Sequence, residues 1–379
     1  MHERISTFLQ ERIDAGDFPS AVYLVAEKGG FVFQDALGYA VVEPQLIPAK
    51  LDTIYDVASL TKPLVTGLLL AKLTENTDGI RLESPVSEYV ISKSRKPPTV
   101  EALVTHTSGL KAWLPIYELL NADVQRREIF DWILDSEETQ IQGSLGSKVV
   151  YSDLNFILLG LFLELTFEQR LDFAMANQVT GPLGLVVTSY DDDFESKTDI
   201  AASEKGNEFE RQACIEQGFL TPDSDKNAFF RHDVIWGDVH DGNAYFMGGI
   251  AGHAGLFSTA EEVLKLALQF LPNYTQLLRP ETCKLFSTNF TRGMNEDRSF
   301  AFQLASTKDS SAGSRMPPES FGHTGFTGTS LWIDPIKERI FILLTNRTHN
   351  HSLPFVNLNP VRRRFHDLSV DLLENKASN

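Results

Sequence analysis

The stretch ASLTKPLVTGLLLAKL, from Ala58 to Leu73, opens with a serine and a lysine three residues apart and continues as an apolar run. Pro63 falls in the first turn, where its missing N–H costs little, so the run from about Leu60 to Leu73 is expected as a mostly buried helix. Residues three apart on a helix share a face, which brings the Lys62 ammonium within reach of the Ser59 hydroxyl. A serine hydroxyl is a weak nucleophile unless a neighbouring base takes its proton. Lysine can fill that role if desolvation or neighbouring cations lower its pKa from about 10.4, and the apolar residues from Leu64 onward supply the desolvation. A second S-x-x-K, Ser108 to Lys111, lies in the glycine turn THTSGLK and reads as a loop serine with a solvated lysine.

Two distant segments complement the first. Tyr151-Ser152-Asp153 precedes the apolar run LNFILLG, which makes Asp153 or Ser152 the N-cap of a helix and Tyr151 a pre-helical residue. Held near Lys62, the phenol would lose its proton more readily and share the work of general base. Phe321-Gly322-His323-Thr324-Gly325-Phe326-Thr327-Gly328 reads as a strand with three glycines, where an incoming substrate can approach the backbone closely. GxGxxG, GxxxxGK[ST], HExxH and GxSxG are all missing from the sequence, so dinucleotide, P-loop, zincin and nucleophile-elbow readings have no support.

The chain around these segments is that of an ordinary globular protein: 379 residues, 42% hydrophobic and 22% charged. Its net charge of −17 repels phosphate backbones and anionic leaflets, so neither nucleic acid nor membrane is expected as a partner. Two cysteines, Cys214 and Cys283, allow one disulfide but make no framework and no metal-binding spacing; a reducing compartment fits them. The longest apolar run, Phe156 to Leu163, is far below the roughly 20 residues of a membrane span. No apolar leader segment follows the N-terminal MHERISTFLQERIDAG, and a cytoplasmic location is expected.

Helical periodicity marks Ile5 to Ile13, Asp153 to Leu165, Thr259 to Phe270 and Val361 to Leu373. A hairpin is expected from Ala21 to Ala26 and Phe31 to Leu37 around Lys28-Gly29-Gly30, and strands at Ser299 to Leu304, Phe321 to Ile333 and Arg339 to Leu344. Strand-forming segments thus sit at both ends. The expected fold is α+β: an antiparallel sheet built from both chain ends and flanked by helices, beside a mainly helical second lobe, with chemistry in the cleft between them. The sheet lobe would take about 1–60 and 245–379 and the helical lobe about 61–244, within one domain.

In the order SLTK, YSD and HTG, the three segments resemble the serine β-lactamase and penicillin-binding-protein family. Within it they look most like class C β-lactamases, D-alanyl-D-alanine carboxypeptidases, D-aminopeptidases and related esterases. LVTHTSGL (Leu103 to Leu110), VHDGNAYFMGGIAGHAGLFSTA (Val239 to Ala260), GHTGFTGTSLWIDP (Gly322 to Pro335) and TNR (Thr345 to Arg347) extend the likeness over nearly the whole chain. The resemblance implies that Ser59 attacks a carbonyl to form an acyl-enzyme and that Lys62 and Tyr151 pass the proton to the leaving group. It also places the backbone N–H groups of Ser59 and Phe326 in an oxyanion hole, with Asp153, His323, Thr324, Gly325 and Phe326 as substrate-binding residues. No cofactor and no metal are expected.

Two positions depart from the commoner family pattern. His323 stands where many members have lysine, so near neutral pH it offers a substrate carboxylate little charge, and acidification toward pH 6 is expected to charge it. Asp153 replaces the asparagine of Y-x-N; ionised, it accepts hydrogen bonds and either favours a substrate donor or binds Lys62. The function expected is hydrolysis of an ester or amide of a small molecule or D-amino-acid peptide. The alternative is a catalytically silent binding or scaffold protein of the same fold. His240 and Asp241 are read as cleft-lining or capping residues, His106 and His253 as structural, His349-Asn350-His351 as an exposed loop, and Tyr190 to Asp193 as solvated charge.

Overall fold

Apolar β-formers between glycine turns pair across the length of the chain in the computed structural model, which describes residues 3–76, 79–91, 97–141, 146–190, 196–222 and 229–377. The strands are β1 (Ser20–Glu27), β2 (Gly30–Val41), β3 (Ile47–Pro48), β4 (Tyr55–Asp56), β5 (Phe257–Ser258), β6 (Gln303–Leu304), β7 (Phe321–Thr324), β8 (Ser330–Asp334) and β9 (Arg339–Thr345). Seven of them form one antiparallel sheet in the order β3-β2-β1-β9-β8-β7-β6, and β4 pairs with β5 apart from it. Leu24 of β1 faces Ile342 of β9, so the hairpin near the N-terminus and the strands near the C-terminus share one ladder. The α+β sheet built from both chain ends is therefore present.

Both faces of that sheet are covered, which is why its central strands read as continuous apolar runs. Tyr23, Val25, Trp332, Phe341 and Leu343 pack with Ile5, Leu9, Phe365 and Leu368 of the terminal helices Glu3–Asp14 and Asn359–Ala377. Their alternates Val22, Leu24, Leu331, Ile340 and Ile342 join the large core that holds Val263 and Leu266 of the helix Ala260–Ala267. The helix Asp153–Phe167 is buried from Leu154 to Leu163, so the longest apolar run is a core helix. Among the described residues no helix is long and apolar enough to cross a membrane.

Several expected boundaries move. The strand expected over Ser299 to Leu304 is only Gln303–Leu304, and the run Phe321 to Ile333 is two strands joined by a turn at Gly325 to Thr329. The stretch beginning at Leu60 is helical, but its first turns are a 3-10 turn over Ala58–Leu60 and a π turn over Lys62–Gly67, before the α-helix Leu68–Thr74. Cys214 and Cys283 are buried and unpaired with each other. Tyr190 is buried and donates its hydroxyl to the Ala251 carbonyl at 3.0 Å; the aspartates that follow it, Asp191 to Asp193, lie outside the described residues.

Candidate active site

The turn that carries Ser59 is held in a left-handed bend at Ala58, with φ of 49°. For a residue with a Cβ that conformation costs about 1–3 kcal/mol, so the surroundings must impose it. Asp56 does so from below: Oδ1 accepts the Ala58 N–H at 2.8 Å and Oδ2 accepts the His240 N–H at 2.8 Å. The β7–β8 turn holds it from above, with the Thr327 hydroxyl donating to the Asp56 carbonyl at 2.8 Å and the Thr329 hydroxyl to that of Val57 at 2.9 Å. Gly325 is required for this approach, because a Cβ there would lie 2.0 Å from Thr329 Oγ1 and 2.6 Å from the Val57 carbonyl oxygen. Gly325→Ala is expected to push the turn off the serine, lowering stability by about 1–3 kcal/mol and the rate of serine acylation by about 100-fold. A melting curve and a labelling time course read the two effects separately.

Lys62 lies directly behind the serine with a side chain that is 0% exposed. Its Nζ donates to Ser59 Oγ at 2.9 Å and to the His253 carbonyl at 3.0 Å, and stands 2.8 Å from Asp153 Oδ1. The His253 carbonyl reaches it because Gly160 of the core helix and Gly252 meet without side chains; a Cβ on Gly160 would be 2.7 Å from Gly252 Cα. Burial alone would lower the lysine pKa, but the Asp153 carboxylate and the nearby Tyr151 phenol outweigh it and hold the ammonium above the ordinary lysine value. The condition set for Lys62 as base, a lowered pKa, is thus opposed by Asp153, which stands where it binds Lys62, one of its two expected roles.

Tyr151 is presented by the cap of the core helix. Ser152 is the N-cap, its hydroxyl accepting the Asn155 N–H at 3.4 Å, while its own N–H donates to His106 Nδ1 at 3.0 Å. The His106 ring packs on the Tyr151 ring at 4.6 Å between centroids, and the Lys62 ammonium lies 5.2 Å from that ring's centre. The second serine, Ser108, instead donates to Asn155 Oδ1 at 2.5 Å and is buried.

Ser59, Tyr151, Asp153, Thr324, Gly325 and Phe326 line one cavity of about 470 Å³, together with His240 and Asp241. Neither the Ser59 nor the Phe326 backbone N–H has a hydrogen-bond partner among the described residues. Two unpaired amide donors on one wall are what an anionic oxygen needs. Asp241 caps the helix Gly242–Phe246 and meets His253 Nε2 at 2.9 Å; burial opposes its charge, but the imidazole and the Ala244 N–H hold it well below the usual carboxylate range. The capping and cleft-lining readings of Asp241 both describe it. His349 is buried rather than in an exposed loop, its Nδ1 donating to the Ser203 carbonyl at 2.8 Å and its Nε2 accepting the Val42 N–H at 2.8 Å.

Two expected site residues do not line this cavity: Lys62, buried behind Ser59, and His323. His323 borders a smaller one of about 230 Å³ on the Tyr151 and Arg298 side. Its Nδ1 donates to the Thr324 carbonyl at 2.9 Å and its buried Nε2 has no partner. Burial, then the charges of Lys62 and Arg298, push its pKa well below the ordinary histidine value. This direction runs against the expectation that mild acid would charge His323.

The positive charge at the cavity comes from residues to which the sequence reading assigned no role. Arg347, in the TNR segment, and Arg362, near the start of the last helix, both line the wall. Arg347 donates to the Phe326 carbonyl at 2.8 Å, and Arg362 to the carbonyls of Gly325 and Thr329 at 3.0 Å each. Neither has a carboxylate partner within 4.0 Å among the described residues. Burial lowers Arg347 to about 10, and burial with the neighbouring Arg347 charge lowers Arg362 to about 9, so both remain cations at neutral pH. Trp113, Phe209 and Glu210 were also missed; each belongs to a stretch without motif or spacing to mark it.

The chain is similar to known proteins in sequence and in fold. A family model described as "Beta-lactamase" matches residues 5–359. A protein of Escherichia coli K12 named "Putative D-alanyl-D-alanine carboxypeptidase" is 27% identical over 92% of this chain and 82% of its own length. Its namesake in Salmonella enteritidis PT4 is 31% identical over 92% and 83%. Among solved structures, EstCE1, described as a hydrolase with promiscuous acyltransferase activity, superposes with a TM-score of 0.72 at 21% identity, covering 97% of each chain. The octameric penicillin-binding protein homologue from Pyrococcus abyssi gives 0.70 at 19% identity, covering 98% of this chain and 77% of that one.

Proposed function

Because the chain belongs to the beta-lactamase family, we propose that it is a serine hydrolase that cleaves an ester or amide through an acyl-enzyme on Ser59. The observation that carries this reading is the contact of 2.9 Å between the cavity-lining Ser59 Oγ and a fully buried, Asp153-paired Lys62 ammonium behind it. Ser59 Oγ bonds to the acyl carbon while its proton leaves toward Tyr151, with Lys62 donating to the oxygen and stabilising negative charge on the phenol. The oxygen of the tetrahedral intermediate takes the free N–H groups of Ser59 and Phe326. As the bond to the leaving group breaks, the proton passes to the departing nitrogen or oxygen. Water then attacks the ester carbon, returns a proton to Ser59 Oγ through the same pair, and releases the acid.

Arg347 and Arg362 support a substrate with a carboxylate, in keeping with relatives named as carboxypeptidases. They take the part that His323, away from this cavity and with its pKa pushed down, does not fill. The reading uses only side chains and amides of this chain, and its substrate is a small molecule such as a D-amino-acid peptide. A fluorophosphonate probe is expected to add one label per chain, and mass spectrometry to find it on the peptide carrying Ser59. A label on any other serine, or none, overturns the reading.

A further inference from the structure

We propose that Glu210 receives a free ammonium group of the substrate, so that the enzyme acts on amino-acid derivatives whose amine is unblocked. The inference deepens the serine-hydrolase reading and rests on it.

The helix Glu208–Glu216 turns Phe209, Glu210 and Ala213 toward the cavity that holds Ser59. Glu210 is 7% exposed, and its carboxyl is held by two donors: the Tyr117 hydroxyl at 2.8 Å to Oε2 and the Gly242 N–H at 2.8 Å to Oε1. The second donor needs a glycine, since a Cβ on residue 242 would lie 2.1 Å from Oε2. Both donors are neutral, so they orient the carboxyl without balancing its charge.

Three other carboxyls of this region have a basic side chain beside them, whereas Asp56, which does not line the cavity, is held by backbone N–H groups. Asp153 has Lys62, Asp241 has His253 at 2.9 Å, and Glu204 has His240 at 2.7 Å. Glu210 has no lysine, arginine or histidine nitrogen within 4.0 Å among the described residues. Arg231, whose field it feels, spends its guanidinium on Asn207 Oδ1 and the carbonyls of Val239 and His240. Burial, then the Asp241 charge beside it, raises the Glu210 carboxyl to about 7. Glu210 thus has no cation beside it, and it lines the cavity that holds Ser59.

A compact ammonium suits a buried carboxyl that has no cation beside it. A second feature of the same cavity points to the same class of ligand: the Nε of Arg362, 5% exposed, has no partner, and with Arg347 it offers positive charge to an anionic group. A cavity with both a carboxyl that has no cation beside it and two guanidinium groups that have no carboxylate partner suits a small zwitterion.

The test compares D-alanine p-nitroanilide with N-acetyl-D-alanine p-nitroanilide. Wild type is expected to favour the free amine, and Glu210→Gln to lower the ratio of the two kcat/KM values by about tenfold or more. A ratio changed less than twofold, or a wild-type preference for the acetylated probe, overturns the inference. A second measurement needs no variant. D-alanine amide is expected to slow fluorophosphonate labelling of wild-type Ser59 at about tenfold lower concentration than N-acetyl-D-alanine amide. Equal protection by the two amides while Ser59 is labelled overturns the ammonium site alone. Absence of label at Ser59 overturns the underlying reading and the inference with it.

Discussion

Replacing Ser59 with alanine is expected to abolish fluorophosphonate labelling and to lower turnover of any acyl substrate by at least about three orders of magnitude. The fold should survive, because the Lys62 ammonium keeps Asp153 at 2.8 Å and the His253 carbonyl at 3.0 Å after the hydroxyl is gone. Circular dichroism and a melting curve should therefore match wild type to within about 1 kcal/mol. Ser108→Ala is the contrasting case. It removes a buried bond to Asn155 and one from the Leu110 N–H, so it should cost about 1–2 kcal/mol of stability and leave the label in place. Stoichiometric labelling of the Ser59→Ala protein would show that the nucleophile lies elsewhere.

The second large effect is expected from Asp153→Asn. Lys62 is completely buried, and in its folded surroundings the ammonium is held above the ordinary lysine value chiefly because the Asp153 charge overcomes desolvation. A raised pKa means that the protonated form persists to higher pH. Where catalysis uses the ammonium, wild-type activity should extend correspondingly far into the alkaline range. Without the carboxylate, burial acts unopposed by its largest counterweight and the ammonium deprotonates earlier. The alkaline limb of kcat/KM should then move down by about 1–3 pH units, with a tenfold to thousandfold loss on that limb and a smaller loss at its optimum. The profile of the variant from pH 6 to 11 measures this. An unmoved alkaline limb would mean that Lys62 is not held charged by Asp153, and a gain in activity near neutrality would mean that the neutral amine is the working base.

Much of the architecture was legible because it rests on local rules. The Lys28-Gly29-Gly30 turn lies between β1 and β2, Ser152 is the N-cap of an apolar run that becomes the core helix, and the spacing from Ser59 to Lys62 brings Nζ to 2.9 Å from Oγ. Each depends on a few adjacent residues whose backbone preferences and side-chain reach are set by the chain itself. The strand Gln303–Leu304 was overcalled from its apolar neighbours: Phe300, Ala301 and Phe302 are buried as core side chains without joining the ladder. Burial of an apolar residue does not require a strand.

Charge and contact across distant segments were decided elsewhere. Lysine burial was readable from the apolar run after Leu64, but the sign of its pKa shift was not, because the carboxylate that reverses it lies 91 positions away at Asp153. The same holds for His323, whose lowered pKa comes from burial beside Lys62 and Arg298, and for Arg347 and Arg362, which reach the cavity only because the sheet and the last helix place them there. Glu210 depends on Tyr117 and Gly242 from two other helices. Thus local sequence determined which residues could be nucleophile, base and cap, since those roles follow from residue type and short-range spacing. The tertiary structure alone decided which groups are charged and which face the substrate, because electrostatic energy depends on distance in space and on exclusion of water, and both are properties of the packed chain.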